Sequence, residues 1–362
     1  DPTPPRRVLV ISARMGAGHM GVARELAERL HRDGHVTEVV DFLDALPRPF
    51  GRAMETLYRL QLRYAPWSYD VLYRLRFRFS SAWDSVNAFY TALAGSSLLR
   101  WVQSYESDVV LALYPLAATV VGRLRDQERL DVPAATFITD FGVHPLWVHP
   151  GIDLHLCVHP VAAAEAARRS GGAVAATGPV VRPDFDGAES RRAVGRQLLG
   201  VGDNDRVVLV TGGSWGIGEV ERTARAVAHS GRFLPVVLCG QDQGLRDRLD
   251  SEGIRAFGWT DQVPSLVAAA DALVDNAGGL SCMEAFASGT PVVTFRPIAG
   301  HGRHNASVMS RAGVSRYPRT ERGLLKALDE LTGDTPARAE AVARGRSLFL
   351  GDAMKELLGL AR

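Results

Sequence analysis

Val8 to Leu30 reads VLVISARMGAGHMGVARELAERL. The opening VLVIS is an apolar run rich in β-branched residues, the pattern of a parallel strand buried on both faces. From Val22 onward apolar side chains recur at Val22, Leu26 and Leu30 with charges between them, the period of an amphipathic helix. Met15-Gly16-Ala17-Gly18-His19 joins the two. A strand, a tight glycine turn and a helix N-terminus aim backbone N–H groups outward and make a ready anion or ligand site. The turn is not a P-loop, because no Gly-Lys-Ser/Thr follows, and its glycine spacing is too short for a dinucleotide fingerprint. A histidine closes it instead, and that histidine needs a role of its own.

The same strand–helix unit recurs along the chain. VLVIS (8–12), EVVDF (38–42), DVVLAL (108–113), AATFIT (134–139) and LHLCV (154–158) form one series of strand-like runs. After TGPVVRPDF a second series comprises VVLVTGG (207–213), LPVVLCG (234–240), IRAFGW (254–259), ALVDNAGG (272–279) and PVVTF (291–295). Helix-length segments follow the strands, which is the signature of parallel α/β sheets. At 362 residues the chain is too long for one ordinary core. We therefore expect an α/β protein of two doubly wound, Rossmann-like domains facing a cleft. The first spans 1–182, the second 183–345, and a C-terminal helix over 346–362 crosses back to the first. Ligands in such folds bind at the carboxyl ends of the strands.

Residues 50–105 interrupt the alternation and read as helices. Arg52, Arg59, Arg63, Arg74, Arg76 and Arg78 face only Glu55 and Asp70 there, and Tyr58, Tyr64, Trp67, Tyr69, Tyr73, Phe77 and Phe79 lie among them. One reading is a membrane-docking insert, with Trp67, Arg74, Arg76 and Arg78 in an anionic headgroup layer. The other is an amphipathic helix pair with its aromatics in a core and its arginines solvated.

Composition narrows the function classes. Hydrophobic residues make up 46% and charged residues 23%, as in globular proteins, and a net charge of +2 gives no global attraction to nucleic acid. Lys326 and Lys355 are the only lysines; the arginines that carry the remaining positive charge suit phosphate recognition. Cys157, Cys239 and Cys282 have no metal-ligand spacing and fit a reducing, cytoplasmic compartment. DPTPPRR reads as a disordered leader. The most apolar window, Val109–Gly122, is broken by Pro115 and falls short of the ~20 residues a membrane span needs.

Several loops carry candidate chemistry. Thr211–Gly218 follows a strand, so the amides of Gly213 and Ser214 can meet a phosphate. In ALVDNAGGLSCMEAFASGTPVV, Gly278-Gly279 precedes a helix starting near Leu280. Its N–H groups and dipole favour a diphosphate, and Glu284, one turn in, can accept two vicinal ribose hydroxyls. Ser281 and Glu284 also fit a capping box, which needs no ligand. Gly300–Asn305 reads as a polar loop with Asn305 as the next N-cap, leaving His301 and Arg303 to contact sugar hydroxyls or phosphate. Phe257–Asp261, with Trp259 and Thr260, ends a strand and can read a base edge, although packing explains a strand-end aromatic equally well. Asp140 and His144 follow a strand and should line the cleft, whereas His155 and His159 flank one and read as structural.

Four motifs then stand in a familiar order: GAGH (16–19), TDFGVHPLWVHPGID (139–153), TGPVVRPDF (177–185) and NAGGLSCMEAFASGTPVV (276–293). Together they resemble the monogalactosyldiacylglycerol synthases and processive diacylglycerol glucosyltransferases of glycosyltransferase family 28, with the two-Rossmann GT-B fold. The resemblance implies a UDP-sugar donor on the second domain. Gly278, Gly279, Leu280 and Ser281 match its diphosphate loop, Glu284 its ribose carboxylate, Trp259 and Thr260 its uracil contact, and Gly213 and Ser214 a turn near the diphosphate. It places a lipid-like acceptor on the first domain, around Gly16, Gly18 and Trp147, with His19 as general base and Asp140 or His144 assisting. A neutral imidazole suits that role. Backbone amides would stabilise the leaving UDP, so inverting transfer without metal or cofactor is expected. The implied partners are the UDP-sugar, the acceptor and the inner face of the cell membrane, not nucleic acid. Two departures stand out. The amide-and-acid loop that reads the hexose in relatives is Gly300-His301-Gly302 here, and Asn276 replaces a lysine before the donor loop. A nonhydrolysing UDP-N-acetylglucosamine 2-epimerase and a non-catalytic nucleotide-sugar-binding protein are the alternatives.

Overall fold

The computed structural model describes residues 4–78, 83–186, 188–349 and 351–360; residues 1–3 of the leader and 79–82 of the insert, Phe79 included, lie outside these. The chain forms two compact units, Asp1–Val180 with Leu350–Arg362, and Val181–Phe349.

The first unit opens with β1 (Arg7–Ser12), α1 (Ala17–Arg32), β2 (Val36–Asp41) and a short α2 (Phe42–Ala45). The insert follows as α3 (Phe50–Tyr64), α4 (Pro66–Arg78) and α5 (Asp84–Ser104). Then come β3 (Val109–Ala112), α6 (Pro115–Asp126), β4 (Ala134–Ile138), β5 (Leu154–Cys157), α7 (Pro160–Ala167) and β6 (Ala173–Ala176). The strands are all parallel, in the order β2-β1-β3-β4-β5-β6. Every residue of β3 and β4 is buried, as strands covered by helices on both faces must be.

The second unit contains α8 (Ala188–Leu199), β7 (Val207–Thr211), α9 (Val220–His229), β8 (Leu234–Leu238), α10 (Gln243–Ser251), β9 (Arg255–Phe257) and α11 (Val263–Ala269). It continues with β10 (Ala272–Asp275), α12 (Leu280–Ala287), β11 (Val292–Thr294), α13 (His301–Arg311), β12 (Ser315–Arg316), α14 (Glu321–Thr332) and α15 (Pro336–Arg346). Its parallel sheet runs β12-β11-β10-β7-β8-β9. A last helix, α16 (Ala353–Leu360), packs against β5 of the first unit.

Both sheets reverse their strand order once, between β1 and β3 in the first and between β7 and β10 in the second. Loops leaving adjacent strands on opposite sides open a crevice at such a point. The glycine turns after β1, β7 and β10 all stand there.

Candidate active site

In the first unit Gly16 supplies the turn after β1, with φ +94, and caps α1 without a side-chain bond. That conformation is cheap only for glycine. Gly18 and His19 fall in the first turn of α1. His19 Nδ1 lies 3.1 Å from Thr139 Oγ1, just past β4. Its ring packs edge-on to Tyr114, just past β3, with centroids 5.8 Å apart, and lies 5.7 Å from Trp147. Trp147 donates its indole N–H to Asp140 Oδ2 at 3.0 Å. Three segments distant in sequence thus meet at one imidazole, at the carboxyl ends of three strands. Trp147 is fully buried, so it fixes His19 and Asp140 and has no surface left for an acceptor. That corrects its expected acceptor contact.

His144 begins the turn Pro145–Trp147, and its Nδ1 accepts from the Leu146 N–H at 3.3 Å. Its ring lies 4.6 Å from Tyr73 and 5.2 Å from Phe77. Tyr58 bonds Tyr69 through their hydroxyls, and their rings are 5.3 Å apart. Burial raises the phenols of Tyr58, Tyr69 (to about 12) and Tyr73, with the Asp140 charge adding to the effect. These tyrosines are therefore neutral hydroxyl donors beside a carboxylate.

The insert divides its aromatics between two faces. Tyr58, Tyr69, Tyr73 and Phe77 turn towards each other and His144, while Leu57, Leu60, Tyr64, Trp67, Val71, Leu72 and Leu75 are exposed, Trp67 at 71%. Arg74 is exposed and pairs with Asp70 at 2.7 Å, and Arg78 is exposed. Arg76 contradicts its expected headgroup role. It is buried, donates to Asn87 Oδ1 at 3.0 Å and lies over Trp83. Helical geometry explains this, since residues two apart on one helix do not share a face.

His155 is structural, fully buried on β5, with burial lowering its imidazole to about 4. Among the described residues no group of three or more His, Cys, Asp or Glu is arranged to hold a metal ion.

In the second unit the β7 and β10 loops are tied together. Asn276 Nδ2 donates to the Ile217 carbonyl at 2.7 Å, and the Asn276 carbonyl accepts from the Ile298 N–H at 2.7 Å. Asn276 thus links the loops after β7, β10 and β11. Asp275, buried at the end of β10, accepts from the N–H groups of Ala277 and Gly278, which sets the turn. Gly278 has φ +70, and a Cβ there would stand 2.6 Å from Asn305 Cβ. The N-cap of α12 is Gly279, with no side-chain cap. The capping-box alternative therefore fails, leaving Ser281 in the first turn and Glu284 half-buried just beyond it.

Burial pushes the Glu284 carboxyl up to about 8, against the opposing pull of Arg182. Its folded value lies above the unfolded one, so between about pH 4.5 and 8 the fold retains a proton that the unfolded chain has released. Stability due to this group is full below that window and falls as pH rises through it, by at most ~1.4 kcal/mol per unit. Glu284→Gln should remove the slope. Its Tm and that of the wild type should coincide near pH 5 and separate towards pH 8, the variant higher; a constant gap would contradict the assignment.

Around this turn, Gly213 has φ +67 with open space above it, and the Ser214 carbonyl accepts from the Gln241 N–H at 2.9 Å. Trp259 is 65% exposed, which removes plain packing as its explanation. Thr260 Oγ1 accepts from the Gln262 N–H at 3.2 Å. The expected 300–305 loop is instead the start of α13. Gly300, at φ +67, caps it, His301 is its first residue, and Arg303 is exposed. Asn305 is not an N-cap; it is fully buried and donates to the Ala277 carbonyl at 3.3 Å, bracing the Gly278 turn.

Residues 19–181 match the family described as monogalactosyldiacylglycerol (MGDG) synthase, and residues 207–357 match the glycosyltransferase family 28 C-terminal domain. The chain is a family 28 glycosyltransferase of the MGDG synthase-like group. This glycosyltransferase is 23% identical to the processive diacylglycerol beta-glucosyltransferases of Bacillus pumilus (strain SAFR-032) and Bacillus subtilis (strain 168), in each case over 98% of this chain and 94% of the relative. Among solved structures it is similar to MurG of Acinetobacter baumannii, with TM-score 0.58 and 13% identity over 99% of both chains. It is also similar to Phytolacca americana UGT2, solved with UDP-2fluoro-glucose and pterostilbene, with TM-score 0.60 and 14% identity over 98% of both chains. These likenesses show the GT-B fold.

Proposed function

We propose that this glycosyltransferase moves a hexose from a UDP-sugar to a hydroxyl of a lipid-like acceptor, with inversion and without a metal, and that His19 is the general base. The observation that carries the reading is the setting of His19. Its Nδ1 is held at Thr139, and its ring lies against Tyr114 and against Trp147, which is bonded to Asp140. With the Nδ1 proton donated to Thr139 Oγ1, Nε2 takes the acceptor's proton as its oxygen attacks the anomeric carbon. The bond to UDP breaks as the new one forms, and negative charge collects on the diphosphate. The N–H groups of Gly279 to Ser281, at the positive end of α12, stabilise that charge. Glu284 accepts the ribose hydroxyls, and Trp259 with Thr260 flanks the uracil. His301 and Arg303 reach the hexose or phosphate. Asp140, beside neutral tyrosines, orients the acceptor hydroxyl.

The names of the Bacillus relatives support a diacylglycerol-type acceptor, and the UDP-sugar in the plant structure supports the donor. Release of UDP from UDP-glucose, UDP-galactose and UDP-N-acetylglucosamine with and without diacylglycerol tests both. Conversion of UDP-N-acetylglucosamine without any acceptor would replace this reading with the epimerase.

We also propose that the outer face of the α3–α4 hairpin docks on anionic membrane. Trp67 and the exposed leucines insert, and Arg74 and Arg78 meet headgroups. No helix among the described residues is long and apolar enough to cross a membrane. Cosedimentation with anionic vesicles should weaken several-fold with salt or with Arg74→Glu and Arg78→Glu together. Equal binding to neutral vesicles would contradict it.

A further inference from the structure

A cavity of about 300 Å3 opens in the second unit away from the donor turn, lined in part by Arg192, Asp271, Gly289, Asp334, Arg338 and Arg346. Asp271 precedes β10 and Thr290, also on its wall, precedes β11, so it lies at the amino-terminal edge of the sheet. The glycine turns of the donor site lie at the carboxyl edge. We infer that this cavity is a second ligand site, for a phosphate-type dianion.

Charge is the first argument. Arg192 and Arg196 share Asp271, at 2.6 and 3.6 Å, so that trio keeps one positive charge. On the lining itself Arg192, Arg338 and Arg346 stand against Asp271 and Asp334, leaving +1, and Arg196 behind Asp271 adds a further positive charge. The second argument is unused donor capacity. Arg338 Nη1 donates to the carbonyls of Asp271 and Leu331, while its other guanidinium nitrogens make no hydrogen bond among the described residues. Burial lowers the pKa of its guanidinium, the sign of a cation short of compensation. The side chain of Arg346 makes no hydrogen bond or ion pair among the described residues, in contrast to Arg344, two residues earlier on α15, which pairs with Glu340 at 2.6 Å. The main-chain N–H groups of Gly333 and Asp334, on the same rim, are likewise unbonded there.

Packing argues against a purely structural role for Arg346. Its guanidinium lies over Gly289, where φ is +69 and a Cβ would come within 2.8 Å of Nη2. A cation capping the end of α12 would donate to the carbonyls of its last turn. Arg346 makes no such bond; the bare backbone of Gly289 serves as a shelf that presents its fork to the cavity. Guanidinium forks pair with two phosphate oxygens at once. The site also has a route to the chemistry. Helix α12 begins at the Gly278-Gly279 turn and ends at Ser288-Gly289 on the cavity wall, ~12 Å away at 1.5 Å per residue.

Thermal unfolding of the full chain at pH 7.5 tests this, with sodium phosphate titrated against sodium chloride at matched ionic strength. We expect Tm to rise with the logarithm of the phosphate concentration above Kd, by about 3 °C at ten times Kd. Arg346→Glu should abolish the rise, and Arg344→Glu, at an exposed position, should retain it. A wild-type Tm no higher in phosphate than in chloride overturns the proposal. So does a rise that survives Arg346→Glu, because phosphate then binds elsewhere, the donor turn included. A monomeric short-chain phosphatidic acid in place of phosphate identifies the source. If it gives the same rise at lower concentration than phosphate and is equally sensitive to Arg346→Glu, the natural ligand is a lipid headgroup; if it gives no rise, the ligand is a free phosphate compound.

Discussion

His19→Ala is expected to lower kcat by about 10³-fold while the Kd for UDP stays within ~2-fold of the wild-type value. The separation follows from where the residue sits. His19 belongs to α1 of the first unit, and the groups assigned to UDP belong to loops of the second. Removing a base raises the barrier to deprotonating the acceptor and leaves the nucleotide's contacts in place. Thr139→Val, which keeps the shape but removes the oxygen 3.1 Å from Nδ1, should cost about 10-fold through loss of ring orientation. Turnover in His19→Ala near the wild-type rate would end the assignment of the base. Parallel loss of UDP binding would mean that the substitution disturbs more than the proton transfer.

Gly278→Val should be the most damaging single change in the donor turn. Its φ of +70 costs an L-residue roughly 1–2 kcal/mol, and its Cβ would press on Asn305, which is fully buried and bonded to the Ala277 carbonyl. Overpacking adds ~1–3 kcal/mol, so a total near 3 kcal/mol is expected in stability. UDP affinity should fall by ~100-fold as the N–H groups of the turn lose their aim. Gly279→Ala is the control. Gly279 has a negative φ, and nothing lies within 4 Å of a Cβ built there, so the fold should hold. Equal unfolding midpoints for wild type and Gly278→Val would contradict the strained-turn account.

Much of this was legible in the chain, and the failures have physical causes. The long apolar runs at 8–12, 109–112, 134–138 and 207–211 announced buried parallel strands because little else explains such sequences. β6 was missed because AVAA is short, alanine-rich and only partly buried, and β12 because two residues carry no pattern. Of the site, the glycines and His19 were visible as local turn chemistry. What was not visible depends on contacts between distant segments. The Trp147 bond to Asp140, Asn305 beneath Gly278, and Asn276 reaching Ile217 have no signature in spacing. Helical phase held the remaining signal. A strict reading of α4 would have placed Arg76 off the face of Arg74 and Arg78, and would have set Tyr69, Tyr73 and Phe77, each four apart, on one inward stripe.

The structure of the protein crystallised with UDP tests the central claim most directly. The diphosphate should lie against the N–H groups of Gly279 to Ser281, with both ribose hydroxyls on Glu284 and the Gly278 turn unchanged. A nucleotide bound anywhere else, or a diphosphate held by side chains alone with those amides turned to water, would contradict it.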